Sequence, residues 1–231
     1  MKILVIDIGG SHVKMLASGA TESVRTDSGP SLTPQQMVEA VKAATSLWQY
    51  DVITIGVPTP VVADGLLHDP VNLGGGWVGY DFGAAFGKPV RLINDAAMQA
   101  LGSYDGGRML FLGLGTGLGS AVVHDGMVMP LELGHLPFRK ATYEYYLGSA
   151  GLERAGKKVW ERRVHVITNY LRAAMVCDTV VLGGGNSKVL KTLPEHALRG
   201  DNANAFVGGF RMWEGAAPRA PSAPQSTSAS V

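Results

Sequence analysis

Two glycine-rich turns of similar design occur in this chain of 231 residues, one in each half. Each follows an apolar segment and leads into another, and each carries polar groups that could hold an anion. Glycine has no Cβ, so several backbone amides of such a turn can point at the same phosphate oxygens. The first glycine turn spans residues 9–11 and the second spans residues 115–117. The candidate phosphate-binding residues are Gly9, Gly10, Ser11, Lys14, Gly115, Thr116 and Gly117.

Neither turn fits the common nucleotide motifs. A Rossmann fingerprint G-x-G-x-x-G must open a helix, whereas the residues after Gly119 alternate as in a strand. The P-loop pattern G-x-x-x-x-G-K-[ST] occurs nowhere in the chain. The remaining option is a hairpin whose turn wraps phosphates. For one turn alone, a purely structural role is an equal alternative, but two turns in matching positions favour a nucleotide or polyphosphate held between two similar domains.

Asp95 is the candidate general base. It follows an apolar segment, residues 89–93, that predicts a strand, and it precedes an alanine-rich segment that predicts a helix. Ligands of α/β proteins bind at the carboxyl ends of strands, where a carboxylate could accept a proton from a substrate hydroxyl. The alternative is that Asp95 only caps the helix beginning at Ala96. We favour the catalytic role.

The hydrophobic pattern predicts the same order of elements twice. Thr33, Pro34 and Gln36 form a capping box that starts a helix, whose apolar face extends to Trp48. Apolar runs over residues 2–6, 12–17, 22–26 and 52–57 predict strands in the first half; residues 109–112, 120–124, 127–129 and 179–182 predict them in the second. A helix with an apolar stripe around Trp160 precedes the last strand.

This order predicts an α/β protein with a duplicated β-β-β-α-β core. We expect two domains, residues 1–106 and 107–214, with the boundary near Gly106 and Gly107. Residues 215–231 are rich in Ala, Pro and Ser with almost no apolar bulk. We expect them to form a disordered tail without a catalytic role.

Composition excludes several classes of partner. Twenty Lys and Arg against nineteen Asp and Glu give a net charge of +1, so we expect neither nucleic acid nor membrane as a partner. No apolar run is long enough to span a membrane. The single cysteine, Cys177, excludes an intramolecular disulfide, and its apolar context predicts a small buried residue. We expect a cytoplasmic protein.

The motifs resemble those of a known superfamily. Asp7-Ile-Gly-Gly-Ser, Gly113-Leu-Gly-Thr-Gly-Leu-Gly and Leu182-Gly-Gly-Gly resemble the phosphate and adenosine motifs of the actin-like ATPase and sugar kinase superfamily. Asn94-Asp95-Ala and Glu132-Leu-Gly-His135 narrow the resemblance to the ROK family of sugar kinases. ROK kinases usually carry a cysteine-rich zinc motif after the second segment. This chain has no cysteine there, and its residues 143–148 and 157–164 are similar to the zinc-free polyphosphate glucokinase branch.

The resemblance implies two actin-like (ribonuclease H-like) domains and a catalytic cleft between them. It implies a hexokinase-type phosphotransferase, a glucokinase that moves a phosphoryl group from polyphosphate or ATP to the 6-hydroxyl of glucose, with Mg²⁺ and with Asp95 as base. The residues that it assigns to the sugar are Asn72, Asn94, Asp95, Glu132, His135 and Glu144. Asp7 is assigned to the phosphates through a hydrated Mg²⁺, and Gly183, Gly184 and Gly185 are assigned to an adenosine.

Several alternatives stay open. Asp7 could be a buried strand-end carboxylate bonded to backbone amides, and Glu144 could be an exposed carboxylate at a helix start. The basic cluster, defined as Lys157, Lys158, Arg162, Arg163 and Arg172, is expected to be a solvated helix face, or else to follow a polyphosphate chain.

The activity also has rivals. The chain could be a kinase for another hexose or an N-acetyl amino sugar, or a non-catalytic sugar-binding regulator. The regulators of the family carry an N-terminal DNA-binding domain, and the first glycine turn begins too close to Met1 to leave room for one. An apolar helical face around Trp160 could serve a homodimer.

Overall fold

The computed structural model describes residues 1–63 and 65–213, so the predicted tail lies outside the described residues. Within them, two five-stranded sheets are formed, one from each half of the chain. The predicted mixed α/β class is confirmed. In the described residues no helix is long and apolar enough to cross a membrane.

The first half builds one sheet in the order β3-β2-β1-β4-β7. Strands β1, β2 and β3 are antiparallel, whereas β4 and β7 run parallel to β1. The elements are β1 (Ile3–Ile8), β2 (His12–Ala17), β3 (Val24–Asp27), α1 (Pro34–Ala44), β4 (Val52–Val57), β5 (Val61–Val62), β6 (Gly65–Leu66), α2 (Phe82–Phe86), β7 (Val90–Asn94) and α3 (Asp95–Ser103).

Local signals explain most boundaries in this half. The capping box is formed: the Thr33 hydroxyl accepts the Gln36 amide at 3.3 Å, and the Gln36 side chain accepts the Thr33 amide at 3.0 Å. Helix α1 ends at Ala44, so Trp48 lies beyond the predicted helical face, although it packs on the same core. Strand β1 runs past the predicted Ile6 because it pairs on both sides through Asp7, with Lys14 and with Gly56.

The second half repeats the arrangement in the order β10-β9-β8-β13-β14. The duplicated β-β-β-α-β order is therefore confirmed, with extra short helices ahead of the long one. The elements are β8 (Arg108–Leu114), β9 (Leu118–His124), β10 (Met127–Leu131), β11 (Pro137–Phe138), β12 (Ala141–Thr142), α4 (Tyr143–Leu147), α5 (Ser149–Ala155), α6 (Lys157–Ala174), β13 (Thr179–Gly183), β14 (Ala197–Arg199) and α7 (Asn204–Arg211). Short 3₁₀ helices cover Leu133–His135 and Gly185–Val189.

A shared apolar core joins the two sheets. Helix α3 and the last helix, α7, pack together between them, and residues from both sheets, such as Val5 and Phe111, complete this core. The Thr54 hydroxyl of the first sheet also donates to the Gly209 carbonyl at 2.8 Å. The division near Gly106 remains a prediction. After β14 the chain returns to the first sheet, where α7 packs against β1 and β4.

The apolar stripe of α6 lies inside the second half. Trp160 is fully buried, and its indole N–H donates to the Leu147 carbonyl at 3.0 Å. The face around Trp160 is therefore not available to a second copy, which removes the feature on which a homodimer was expected. Cys177 is buried as predicted.

Candidate functional site

Asp95 is the first residue of α3, directly after β7 ends at Asn94. The Asn94 side-chain oxygen accepts the Ala97 amide at 3.1 Å, so Asn94 is the helix cap, and the alternative that Asp95 is the cap is wrong. The Asn94 amide nitrogen donates to the Thr59 carbonyl at 3.4 Å. Asn94 thus holds the start of α3 in place, and a contact with a sugar remains a prediction for it.

The environment of Asp95 raises the pKa of its carboxyl to near neutral pH. Burial first, and then the nearby carboxylates of Asp7 and Glu132, together raise the pKa of the Asp95 carboxyl to about 7, against a hydrogen bond from the Ala96 amide that lowers it. That amide donates to Asp95 Oδ1 at 2.8 Å. The residue still reaches solvent in part. A carboxyl with these properties can accept a proton from a substrate at neutral pH.

Asp7 lies in the central strand of the first sheet, beside the first glycine turn. Its side chain is 14% exposed, and its Oδ2 lies 3.9 Å from Lys14 Nζ on the neighbouring strand. Burial raises the pKa of Asp7, and the Lys14 ammonium opposes this. Among the described residues, no backbone amide donates to this carboxylate, so the amide-bonded alternative is wrong.

The first glycine turn adjoins the loop of residues 72–77, which carries Asn72, a residue that the resemblance assigns to the sugar. The turn closes with a hydrogen bond from the Gly9 amide to the His12 carbonyl at 2.9 Å. Gly10 and Ser11 are exposed. A Cβ placed on Gly10 would lie 3.8 Å from the Asn72 Cβ, so Asn72 and the turn are in contact distance of each other.

Asp69 organises this same loop and was missed by the sequence reasoning. Its Oδ1 accepts the amides of Trp77 and Val78 at 2.8 and 2.9 Å, and its Oδ2 accepts the Gly76 amide at 3.1 Å. These hydrogen bonds, with Val78 first, lower the pKa of Asp69. Trp77 is fully buried and packs in the core of the first half. An aspartate just ahead of a glycine-rich loop was the available signal.

The second glycine turn is supported by residues from two later segments. The Gly115 carbonyl accepts the Ser149 amide and hydroxyl, each at 2.9 Å, and the Asn186 side-chain amide at 3.2 Å. Asn186 also donates to the Ser149 hydroxyl at 3.0 Å. Neither Ser149 nor Asn186 stands out in the sequence, because their partner is a backbone carbonyl that only the fold brings near them.

Glu144 lies under the second glycine turn rather than free in solvent. Its Oε2 accepts the Leu118 amide at 3.0 Å, and a Cβ placed on Gly117 would stand only 2.4 Å from that oxygen. The carboxylate is partly buried, so the alternative of an exposed helix-start residue is wrong. Strand β9, which follows the turn, packs against the start of α3, because a Cβ on Gly119 would lie 2.7 Å from the Ala96 methyl carbon.

Glu132 and His135 stand at the surface. Their side chains are 51% and 71% exposed, and Glu132 Oε2 lies 3.9 Å from His135 Nδ1. Glu132 precedes the 3₁₀ helix after β10, and His135 is the last residue of that helix. The Glu132 carboxylate is close enough to raise the pKa of Asp95, less than Asp7 does.

The glycines predicted for adenosine follow β13. Gly183 ends that strand, and Gly184 and Gly185 lead into the 3₁₀ helix that carries Asn186. Asn186 reaches the second glycine turn through its bond to Gly115. The predicted adenosine and phosphate segments are thus neighbours.

Most of the basic cluster is solvated, as expected. Lys157, Lys158 and Arg162 are exposed, whereas Arg172 donates to the Cys177 carbonyl at 3.3 Å. The Arg163 guanidinium carbon stands 5.1 Å from the centre of the Tyr146 ring. The five residues are therefore not equivalent, and Arg163 lies against an aromatic surface.

Comparisons with known proteins were made for sequence and for fold. No protein-family model matches the chain. A polyphosphate glucokinase of Mycobacterium tuberculosis is 29% identical over 207 residues, which cover 79% of this chain and 77% of that protein. The polyphosphate glucokinase of Mycobacterium leprae is 25% identical over 205 residues, and the match spans 63% of its length, less than two thirds.

The fold has solved counterparts. An inorganic polyphosphate/ATP-glucomannokinase from Arthrobacter sp. strain KM matches with a TM-score of 0.77 and 24% identity, covering 90% of this chain and 96% of that one. A ROK family glucokinase from Streptomyces griseus, in complex with glucose and AMPPNP, matches with a TM-score of 0.73 and 16% identity, covering 90% and 98%. The chain is a relative of the polyphosphate glucokinases, built on the fold of the ROK-family sugar kinases.

Proposed function

We propose that this chain is a sugar kinase of the glucokinase type, which transfers a phosphoryl group from polyphosphate or ATP to the 6-hydroxyl of glucose. The observation that carries the proposal is Asp95, a carboxyl with a pKa raised to about 7 at the junction of β7 and α3. Strand β9, which leaves the second glycine turn, packs against the start of α3. The similarity to a polyphosphate glucokinase and to a polyphosphate/ATP-glucomannokinase supports the same chemistry.

The proposed reaction requires one proton acceptor. The oxygen of the sugar hydroxyl attacks the terminal phosphorus, the bond from that phosphorus to the bridging oxygen breaks, and the hydroxyl proton passes to an Asp95 oxygen. The remaining donor leaves with the electron pair of the broken bond. At neutral pH a group with a pKa of about 7 is partly ionised and still basic enough to take the proton.

The proposed sugar contacts lie on both sides of Asp95. Hydroxyl groups both donate and accept hydrogen bonds, so carboxylate, amide and imidazole side chains can each hold one. Glu132 and His135 are exposed, and closure of the cleft over the sugar would remove them from water. The proposed contacts are Asn72, Asn94, Asp95, Glu132, His135 and Glu144.

The residues present fit a hydrated Mg²⁺. Magnesium takes one or two carboxylates together with waters and substrate phosphates, so Asp7 alone would suffice. In residues 1–63 and 65–213 no group of three potential ligand side chains comes together, and such a cage is not what magnesium needs. When bound, the ion would neutralise charge on the donor phosphates. Asp7 would hold it through water, and Lys14 would stay beside it as a second positive charge.

Both donors remain in the proposal. The two glycine turns would hold the transferred and adjacent phosphates of either one. Gly183, Gly184 and Gly185 would let an adenosine approach the backbone. The exposed Lys157 and Lys158 would follow a longer phosphate chain. We further propose action as a cytoplasmic enzyme, with two domains as divided above, and a homodimer through a surface other than the face around Trp160.

A matrix of acceptors and donors tests the proposed function. Glucose, mannose, fructose and N-acetylglucosamine would each be offered with ATP and with polyphosphate, with Mg²⁺, and sugar phosphate would be measured. We expect glucose 6-phosphate to form fastest. If another sugar is phosphorylated faster, that sugar is the substrate instead of glucose. If a sugar binds but no sugar phosphate forms, the chain is a sugar-binding regulator.

Charge removal separates the two donors. Replacing Lys157 and Lys158 by Gln should raise the KM for polyphosphate and leave the KM for ATP unchanged, because only the long donor reaches them. The exposed Lys191, changed to Gln, is the matched control. Turnover with ATP alone, unaffected by the double change, contradicts the polyphosphate part of the proposal.

A further inference from the structure

A cavity of about 320 Å³ lies beside the basic cluster, between α6 and the segment from β11 to α4, and none of the proposed sugar- or phosphate-binding residues lines it. We call it the arginine pocket. Its volume is in the range of sites that hold small organic molecules. The pocket is lined by Phe138, Arg139, Tyr146, Val159, Arg162, Arg163, Val166 and Ile167.

The lining combines an apolar floor, made of two aromatic rings and aliphatic side chains, with three positive charges. Phe138 and Tyr146 meet edge to face with ring centres 5.6 Å apart. Arg163 and Arg139 stand over these rings, at 5.1 Å from the Tyr146 centre and 5.4 Å from the Phe138 centre. Aromatic faces attract cations, so the rings keep the guanidinium groups at the pocket.

The charges of this pocket are not neutralised by the chain itself. No carboxylate lines it. None of the ion pairs found among residues 1–63 and 65–213 involves Arg139, Arg162 or Arg163. Glu161 on the same helix faces elsewhere, where its Oε1 accepts the amides of Lys191 and Thr192 at 3.0 and 2.8 Å. The donors of three guanidinium groups thus remain open to a ligand.

We propose that the arginine pocket binds a small organic anion with a flat apolar body, such as an aromatic carboxylate. The rings and the aliphatic side chains of Val159, Val166 and Ile167 would cover the body. The carboxylate would accept paired hydrogen bonds from a guanidinium, the geometry that arginine favours. An inorganic anion would leave the apolar floor uncovered, and a neutral aromatic molecule would leave the charges unpaired. The site therefore requires both parts in one ligand.

Calorimetric titration of the full chain with 2-naphthoate tests the proposal. We expect saturable binding with one site per chain. Arg163→Gln should weaken it about tenfold, since a hydrogen bond between charged groups is lost. Lys140→Gln is the matched control: Lys140 is exposed, carries the same charge and follows Arg139 in sequence, but it does not line the pocket. It should leave 2-naphthoate binding unchanged.

Two further ligands and one further variant complete the test. 2-Naphthol, which lacks the charge, should bind at least tenfold more weakly, and tripolyphosphate should not displace 2-naphthoate. If Arg163→Gln fails to fold by circular dichroism, the exposed Arg162→Gln takes its place. Equal binding in the arginine variants, equal binding of 2-naphthol, or displacement by tripolyphosphate would each overturn the proposal. The proposal would also be overturned if the chain sedimented as a dimer and did not bind 2-naphthoate, because a second copy of the chain would then be the occupant of the pocket. Kinase activity is not measured, so failure here leaves the proposed function intact.

Discussion

The two glycine turns occupy equivalent positions in the two sheets, yet they are held differently. The first glycine turn has charged groups beside it, since Asp7 and Lys14 face each other across β1 and β2. Among residues 1–63 and 65–213, no ion pair lies beside the second glycine turn; Ser149 and Asn186 bond to its Gly115 carbonyl, and Glu144 accepts the Leu118 amide just after it. The first glycine turn therefore lies beside charged side chains, whereas the backbone of the second is held by hydrogen bonds.

This difference matches what a phosphoryl donor requires. Transfer depends on alignment and on neutralisation of charge, with little covalent chemistry from the protein. A backbone held by hydrogen bonds before the donor arrives costs no reorganisation in the transition state. In the proposed function, the second glycine turn aligns the phosphates and the first brings the charge. Asp95, which lies near Asp7 at the start of the helix that β9 contacts, would accept the proton.

The largest effect on activity should come from a change of Asp95, the proposed base. Asp95→Asn keeps the size of the side chain but cannot accept the proton, so we expect kcat to fall about 10²- to 10⁴-fold with little change in glucose binding. Steady-state kinetics and glucose titration measure the two quantities. Asp105→Asn, an exposed aspartate, is the matched control. A near-normal kcat for Asp95→Asn would remove Asp95 from the mechanism.

The same variant has a thermodynamic control. The pKa of Asp95 is higher in the folded protein than in the unfolded chain, so the folded state binds the Asp95 proton more tightly. As the pH rises from about 4 to 7, this carboxyl loses its proton in the folded state and the folded state becomes less stable. Asp95→Asn should therefore unfold at no lower a temperature than the parent at pH 8. Loss of activity together with early unfolding would indicate a structural defect.

The charge beside the first glycine turn should set the pH response. Only ionised Asp95 accepts a proton, so kcat/KM should fall about tenfold for each pH unit below 7. Asp7→Asn removes the nearby negative charge and should lower the pKa of Asp95. Carbon-13 NMR titration of the Asp95 carboxyl follows this pKa without any need for activity.

Asp105→Asn again serves as the control and should leave the titration of Asp95 unchanged. An unchanged Asp95 pKa in Asp7→Asn would contradict the contrast drawn between the turns, because the first glycine turn would then exert no electrostatic effect on the base.

The backbone of the second glycine turn should tolerate a methyl group at one position and not at another. Gly117→Ala would drive a Cβ into Glu144 Oε2 and break the bond to the Leu118 amide, so we expect the donor KM to rise about tenfold. Gly115→Ala meets no atom within 4 Å and should have a smaller effect. Equal effects of the two changes in donor kinetics would show that the clash with Glu144 is unimportant.

The smallest effect should distinguish the turns by stability. Ser149→Ala removes a hydrogen bond to Gly115 and should cost about 1 kcal/mol, or roughly 2–4 °C in melting temperature. In the described part of the chain, the hydroxyl of Ser11 makes no hydrogen bond, so Ser11→Ala should leave the melting temperature unchanged. Equal shifts in the two variants would contradict the greater support of the second glycine turn.

The sequence predicted the elements better than the contacts between them. Strands such as β4 and the start of α1 follow from local signals, apolar runs and a capping box, which depend on neighbouring residues only. Asp95 was found because its position after a strand is visible in the sequence. The alternative that Asp95 caps α3 is wrong, since Asn94 is the cap; both residues are good caps and only the backbone geometry distinguishes them.

The sequence by itself determined the duplicated order of strands and helices, the two glycine turns and the polar residues at strand ends, because hydrophobic periodicity and backbone preference are local properties. Only the tertiary structure decided that Glu144 lies under the second glycine turn, that Ser149 and Asn186 support it, and that Asp95 is buried near Asp7 and Glu132. These relations join residues far apart in the chain. Hydrogen bonding and desolvation depend on distance in space, which the order of residues does not encode directly.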